Sequence, residues 1–250
     1  MKIALITGAS RGIGKNTAMQ LAKRGVGVIV TYNGYREGAE AVVRDIEQAG
    51  GQAVALQLDV GVASSFPAFV ATVAQALKEK WQRDSFDYLV NNAGVGAFKL
   101  IKDVTEQDFD LMMNIHLKGP FFLTQQLLPL MADGGSIVNL TSATTRVAFA
   151  GVAPYAAMKG GLDVLTRYMA KEFGDRKIRA NAVSPGAIRT DLGGNPLDNN
   201  PEFAELLAGQ AALGRVGEPE DVGMVIASLL SGDCQWVNAQ TVEVSGGYFI

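Results

Sequence analysis

Apolar and polar positions follow two rhythms along the chain. Short apolar runs bounded by Gly, Asp or Asn lie at Ile3–Ile6, Val26–Thr31, Ala53–Leu58, Tyr88–Val90, Ser136–Leu140, Arg179–Val183 and Thr241–Val244. Runs of this kind predict strands buried on both faces. Longer amphipathic segments separate them and predict helices at Gly12–Lys23, Arg36–Ala49, Ser64–Lys80, Glu106–Met131, Val152–Phe173 and Pro219–Leu230. Strand and helix alternate from end to end. That order predicts an α/β fold, a doubly wound parallel sheet of about seven strands with helices on both faces.

No linker or composition break divides the 250 residues, so one domain over 1–250 is expected. The least regular stretch runs from Thr190 to Gly217, with Gly193-Gly194-Asn195-Pro196 and Asn199-Asn200-Pro201 inside it. A long loop in a compact domain is commonly a lid, and a mobile substrate lid is expected at about 190–217. Composition narrows the partners. The share of apolar residues, 48%, suits a sizeable core, and a net charge of −3 without a run of like charges argues against nucleic acid. No eighteen-residue apolar stretch predicts a membrane span. Met1–Ile6 reads as a strand entering a turn, not as a secretory signal. Cys234 is the only cysteine, so an intramolecular disulfide is impossible, which fits a cytoplasmic protein.

Chemistry begins after the first strand, at Thr7-Gly8-Ala9-Ser10-Arg11-Gly12-Ile13-Gly14. Glycines between a strand and a helix bring backbone N–H groups and a helix N-terminus against a diphosphate, as in a Rossmann-type fold. Gly8, Ser10, Arg11, Gly12, Ile13 and Gly14 are therefore cofactor candidates. A carboxylate about 20 residues further on normally holds the NAD ribose. Here the slot reads Thr31-Tyr32-Asn33-Gly34, while Arg11 and Arg36 lie close by. A missing carboxylate beside two guanidinium groups favours a 2′-phosphate, hence NADP(H) over NAD(H), with Asn33 and Arg36 in that pocket. Asp59-Val60 ends the third strand, where Asp59 either accepts the adenine amino group or caps the next helix. Asn92, Ala93 and Gly94 follow the fourth strand at the ligand edge of the sheet, small enough for close approach of a cofactor.

Tyr155 and Lys159 stand four apart in a helical segment and so share one face. A phenol ionises near pH ~10, and a neighbouring ammonium favours its phenolate. Ser142, just beyond the strand Ser136–Leu140, is placed to hold a substrate oxygen while Tyr155 gives or takes the proton. Asn114 lies mid-helix, where an amide is unfavourable, and is expected to interrupt the helix and order a water near Lys159.

These pieces resemble the short-chain dehydrogenase/reductase family, in its single-domain branch of about 250 residues that includes the 3-oxoacyl-[acyl-carrier-protein] reductases. The matching residues are Thr7–Gly14, Asp59, Asn91–Gly94, Asn114, Ser142, Tyr155, Lys159, Pro185–Thr190 and Val244–Gly247, in family order across nearly the whole chain. The resemblance implies Tyr155 as general acid/base, with Lys159 binding the nicotinamide ribose and lowering the Tyr155 pKa. It implies Ser142 as holder of the substrate oxygen and Asn114 as support for a water relay. Pro185, Gly186 and Ile188 would line the nicotinamide, and Thr190 would touch the diphosphate or carboxamide. A homotetramer built on the long helices is also implied.

Thr144, Phe149 and Val152 are candidate substrate contacts beside Ser142. His116, the only histidine, reads as a helix-face residue, and one histidine without cysteine partners does not suggest a metal site. The stretch Lys78–Ser85 reads as a solvated helix end, and Cys234 as structural. The leading expectation is an NADP(H)-dependent reductase of a ketone, or oxidant of the secondary alcohol. A 3-oxoacyl-thioester reductase of fatty-acid type would need a basic patch, for which Arg146, Arg189 and Arg215 are candidates. An alternative of another class is a non-catalytic nucleotide-sensing or scaffolding protein.

Overall fold

A computed structural model describes residues 1–250. Seven parallel strands form one sheet in the order β3-β2-β1-β4-β5-β6-β7. They are β1 (Ile3–Ile6), β2 (Gly27–Tyr32), β3 (Ala53–Gln57), β4 (Phe86–Asn91), β5 (Met131–Leu140), β6 (Arg179–Pro185) and β7 (Thr241–Val244). The helices are α1 (Gly12–Lys23), α2 (Arg36–Gln48), α3 (Phe66–Trp81), α4 (Glu106–Met113), α5 (Gly119–Leu127), α6 (Ala153–Glu172), α7 (Pro196–Asn199), α8 (Pro201–Gly209) and α9 (Pro219–Leu230). The Rossmann-type architecture read from the sequence is the one observed.

Two-residue periodicity divides each strand between two cores. On β1, Ala4 and Ile6 pack with Leu21 of α1, Val42 of α2 and Ile226 of α9. Ile3 and Leu5 pack on the other face with Leu77 of α3, Leu123 of α5 and Met169 of α6. Neighbours β1 and β4 diverge in their onward connections. The segments after them therefore open a crevice at the carboxyl edge of the sheet.

The predicted helix over Glu106–Met131 is broken. Thr105 and Asp108 form a capping box that starts α4. The chain then widens into a π-helical turn over Asn114–Lys118, and the Gly119 N–H bonds the Asn114 carbonyl five residues back. Pro120 explains the break, because it has no N–H to give the carbonyl four residues earlier. After α5 the chain turns at Leu128–Leu130 and enters β5 at Met131, well before the predicted Ser136. Met131 pairs with Phe86 across a register shift, and Gly134 there takes φ +76°. Asp133-Gly134-Gly135 therefore forms an irregularity inside a strand, although its composition reads as a turn.

The stretch 190–217 is more regular than its composition suggests, since it contains α7 and α8, each begun by a proline. Its neck is closed by a parallel bridge between Ile188 and Gly217. Beneath it, Leu197, Leu207, Ala211, Val216 and Tyr248 form a small separate core with Ala143.

Candidate active site

The turn after β1 is sewn to the end of β4. Thr7 Oγ1 accepts the N–H groups of Asn92 and Ala93, both at 2.9 Å. Asn92 Nδ2 returns to the carbonyls of Thr7 (2.8 Å) and Gly8 (3.0 Å). Gly8 holds φ +64°, and a methyl group on it would come 2.8 Å from the Ala93 Cα. A methyl group on Gly14 would come 2.5 Å from Asn92 Nδ2. Asn92 thus supports the turn from behind, and the glycines are required by close packing as well as by conformation. Arg11 precedes α1 in extended conformation with no side-chain cap, and the first turn of α1 carries no acidic residue. An uncapped helix start flanked by Gly12, Ile13 and Ser10 fits a diphosphate.

Around the second strand the candidates separate. Arg11 lies 5.9 Å from the Tyr35 ring centroid and pairs with Asp191 at 3.4 Å. Arg36 donates to Glu40 at 2.7 Å on the surface of α2. Asn33 is exposed, and its carbonyl accepts from Gln57 Nε2. Both arginines flank the end of β2, each balanced by a carboxylate that a phosphate would have to displace or share. Asp59 does not cap α3; its Oδ1 takes the Gly61 N–H at 2.8 Å, because a carboxylate two residues before an N–H closes a local turn more readily. The Val60 carbonyl packs against Gly119, where a methyl group would come within 2.3 Å of it.

At the end of β6, Pro185 is buried and the Gly186 N–H bonds the Val244 carbonyl at 3.0 Å. The bridge at Ile188 uses the Ala187 carbonyl and the Arg189 N–H. In a parallel pair that pattern leaves the Ile188 backbone groups directed to the opposite side. Thr190 lies over the glycine turn, with its Cγ2 3.5 Å from where a Gly12 methyl group would sit. Arg11 with Asp191, and Gly12 with Thr190, bring the start of the 190–217 stretch onto the glycine turn.

Ser142 follows β5, and both Thr144 donors point at it: the Thr144 N–H at 3.2 Å and Oγ1 at 2.9 Å. The Ser142 hydroxyl lies against the Tyr155 phenol and draws its pKa down, but burial prevails and pushes Tyr155 up to about 12. Lys159 donates to the Leu140 carbonyl at 2.6 Å, with its Nζ 5.6 Å from the Tyr155 ring centroid. Burial lowers Lys159 to about 7. This differs from the expectation that Lys159 lowers Tyr155. Burial sets the direction for both groups, and the Lys159 Nζ is directed at the Leu140 carbonyl.

The sheet beneath these groups carries a buried polar chain. Asn91 Nδ2 donates to Thr124 Oγ1 (3.1 Å) and to Asn139 Oδ1 (2.8 Å). Asn139 Nδ2 donates to Thr166 Oγ1 (2.9 Å), which donates to the Leu162 carbonyl (2.8 Å). The helix carrying Tyr155 and Lys159 is thereby tied to β5.

Asn114 starts the helix interruption as expected, but the residue of that turn that reaches Tyr155 is His116. Its ring meets the Tyr155 ring nearly at right angles, with centroids 5.0 Å apart. A methyl group on Gly94 would strike His116 Cε1 at 2.8 Å, so Gly94 leaves room for the imidazole. Sequence reasoning missed His116 because Asn114, two residues earlier, carried the family pattern. The Pro120 break is the signal that could have shifted the assignment.

Of the substrate candidates, Val152 precedes α6 and Thr144 serves Ser142. Phe149 turns to the C-terminal segment, stacking near Tyr248 with centroids 6.0 Å apart. The mouth has apolar walls that the sequence did not single out. Phe98 lies against Gly151 and is 78% exposed, and Leu192 meets Gly96 from the lid side. Arg146 binds Glu243 at 2.7 Å, Arg189 binds Asp198 and Glu218, and Arg215 binds Asp221. Each of the three arginines is held by carboxylates, so they do not make the basic patch for which they were candidates.

A family described as enoyl-(acyl carrier protein) reductase matches residues 8–249. A hydroxynaphthalene reductase-like protein, Arp2, of Metarhizium brunneum is 36% identical over 257 residues, covering 98% of this chain and 94% of its own. The solved structure of LugOII, a promiscuous reductase that catalyses keto-reduction at C1 during lugdunomycin biosynthesis, superposes with a TM-score of 0.95 at 37% identity, covering 100% of this chain and 98% of its own. The angucycline C-6 ketoreductase LanV with bound NADP gives 0.94 at 36% identity, with 99% and 95% covered. No helix is long and apolar enough to cross a membrane.

Proposed function

The chain belongs to the short-chain dehydrogenase/reductase family, and from that we propose that it reduces a ketone to a secondary alcohol with NADPH, Tyr155 giving the proton. It is an oxidoreductase of the NADP-dependent ketoreductase kind. One observation carries the assignment of residues. Ser142, Tyr155 and Lys159 meet at the carboxyl edge of the sheet, the edge on which the uncapped α1 turn also opens.

Reduced nicotinamide, when bound, supplies the hydride. The protein supplies the rest. Both Thr144 donors fill the acceptor sites of Ser142, so its own O–H, which faces Tyr155, is the group that a ketone oxygen would take. Tyr155, with a pKa near 12, is protonated at neutral pH and gives its proton to that oxygen as the alcohol forms. Lys159, held by Leu140, keeps further N–H donors for a ribose hydroxyl. The glycine turn residues and Thr190 would hold the diphosphate, Pro185, Gly186 and Ile188 the nicotinamide, and Asp59 and Val60 the adenine side. Arg11, Asn33 and Arg36 would meet the 2′-phosphate.

The substrate class favoured is a ketone on a flat apolar ring system. Phe98 and Leu192 at the mouth support it, together with the ring-bearing substrates named for the relatives. The ion pairs that occupy Arg146, Arg189 and Arg215 weigh against an acyl-carrier-protein substrate. A homotetramer in the cytoplasm completes the reading. Its support is the exposed apolar surface of α4, α5 and α6 (Phe109, Leu111, Phe121, Phe122, Val164, Tyr168), together with a lone free cysteine.

Tyr155→Phe is the test. Ketone reduction should fall at least about 100-fold in kcat/KM, with NADPH still bound. Full activity in that variant would overturn the mechanism, and a wild-type protein inert toward every ketone would favour the sensing or scaffolding alternative.

A further inference from the structure

His116 lies within the π-helical turn with 1% of its surface exposed. Its Nε2 is 2.8 Å from the Val95 carbonyl and 3.3 Å from the Val95 N–H. The shorter contact makes Nε2 the protonated nitrogen and leaves a lone pair on Nδ1. Nδ1 is buried and no protein donor reaches it. The Cε1–Nδ1 edge of the ring faces Gly94, where a methyl group would stand 2.8 Å from Cε1 and 3.4 Å from Nδ1. The imidazole also meets the Tyr155 ring at 84°. Burial and the nearby Lys159 charge keep it neutral, with a pKa lowered to about 3.

We propose that His116 is a further positioning residue of the π-helical turn for proton transfer by Tyr155. It acts in two ways. Nε2 ties down the segment after β4 through Val95. Nδ1 keeps a hydrogen-bond acceptor open beside the site. Packing alone does not account for an imidazole here, because a phenyl ring would fill the same space with no unpartnered buried atom. Asn114 contributes through its backbone, whose carbonyl receives the Gly119 N–H and so holds the widened turn that aims His116 inward.

The inference rests on Tyr155 being the acid, and the experiment separates the two. Wild type, His116→Phe, His116→Asn and Tyr155→Phe are assayed with NADPH and one ketone, and NADPH binding is measured by fluorescence. His116→Phe keeps the ring and should lose about tenfold or more in kcat, with KM and NADPH affinity within about threefold. His116→Asn keeps a donor and an acceptor and should recover most of that rate. A wild-type kcat in His116→Phe, or a His116→Asn no better than His116→Phe, would overturn the inference. If His116→Phe does not fold, His116→Asn decides alone: a rate within about threefold supports the role, and a folded variant slowed beyond about tenfold rejects it. An active Tyr155→Phe would sink the acid assignment itself. An inactive Tyr155→Phe beside a fully active His116→Phe would sink only the role of His116.

Discussion

Asn139 is fully buried and holds the middle of the polar chain that anchors α6. Replacing it by leucine keeps roughly the same volume and removes two strong hydrogen bonds, to Asn91 and to Thr166, along with a weaker one to the Met169 sulfur at 3.5 Å. Each of the two strong bonds is worth about 1 kcal/mol net. Thr166 keeps its bond to the Leu162 carbonyl, so it is not stranded. Asn91 fares worse: one N–H still reaches Thr124, but the other is left buried without an acceptor, at about 1–3 kcal/mol. Burying leucine in place of the amide returns about 1.5–3 kcal/mol. The losses exceed the return by about 2 kcal/mol, which for a chain of this size lowers Tm by about 4–8 °C. Thermal unfolding followed by circular dichroism, at one protein concentration, measures it. The double variant Asn91→Leu/Asn139→Leu removes the stranded amide and should cost less than the two single changes together, by about 1 kcal/mol or more. An unchanged Tm in Asn139→Leu, or strict additivity in the pair, would refute the reasoning.

Other outcomes follow from the same structure. On the proposed contact of Arg36 with a 2′-phosphate, Arg36→Ala should raise the NADPH KM about tenfold or more while leaving NADH little changed; equal effects on both would reject the phosphate role. Lys159 is lowered to about 7 in the fold, so the unfolded chain binds more protons between pH ~7 and ~10.4. Stability from this group is therefore complete at the alkaline end and lost as pH falls to about 7. Lys159→Met should flatten the rise of Tm with pH in that window, and an unaltered profile would count against the buried amine. The apolar faces of α4, α5 and α6 predict a tetramer in sedimentation, and Phe121→Glu with Phe122→Glu should shift it to smaller species. A wild-type monomer would dismiss that surface as an interface.

What could be read without coordinates was what depends on local pattern. Apolar runs marked all seven strands, because strands buried on both faces stay apolar whatever their neighbours are. α1 and α9 were legible to the residue, each bounded by Gly or Pro. Tyr155 and Lys159 were legible because a four-residue spacing is set by the helix itself. The start of β5 was not, since Met131 joins the sheet by pairing with Phe86 through a glycine irregularity that resembles a turn in isolation. Nor was the state of the charges. Arg146 and Glu243 are 97 residues apart, and Arg11 meets Asp191 only because the start of the 190–217 stretch folds onto the first turn. The Tyr155 and Lys159 pKa values likewise follow from burial, which is a property of everything packed around them. The sequence by itself determined the order of elements, the glycine turn after β1 and the proposed grouping of Ser142, Tyr155 and Lys159, because periodicity and short spacings are local. Only the tertiary structure decided that His116 faces Tyr155. A π-helical turn rotates the following residues relative to an α-helix, and its effect appears only where that turn meets another helix.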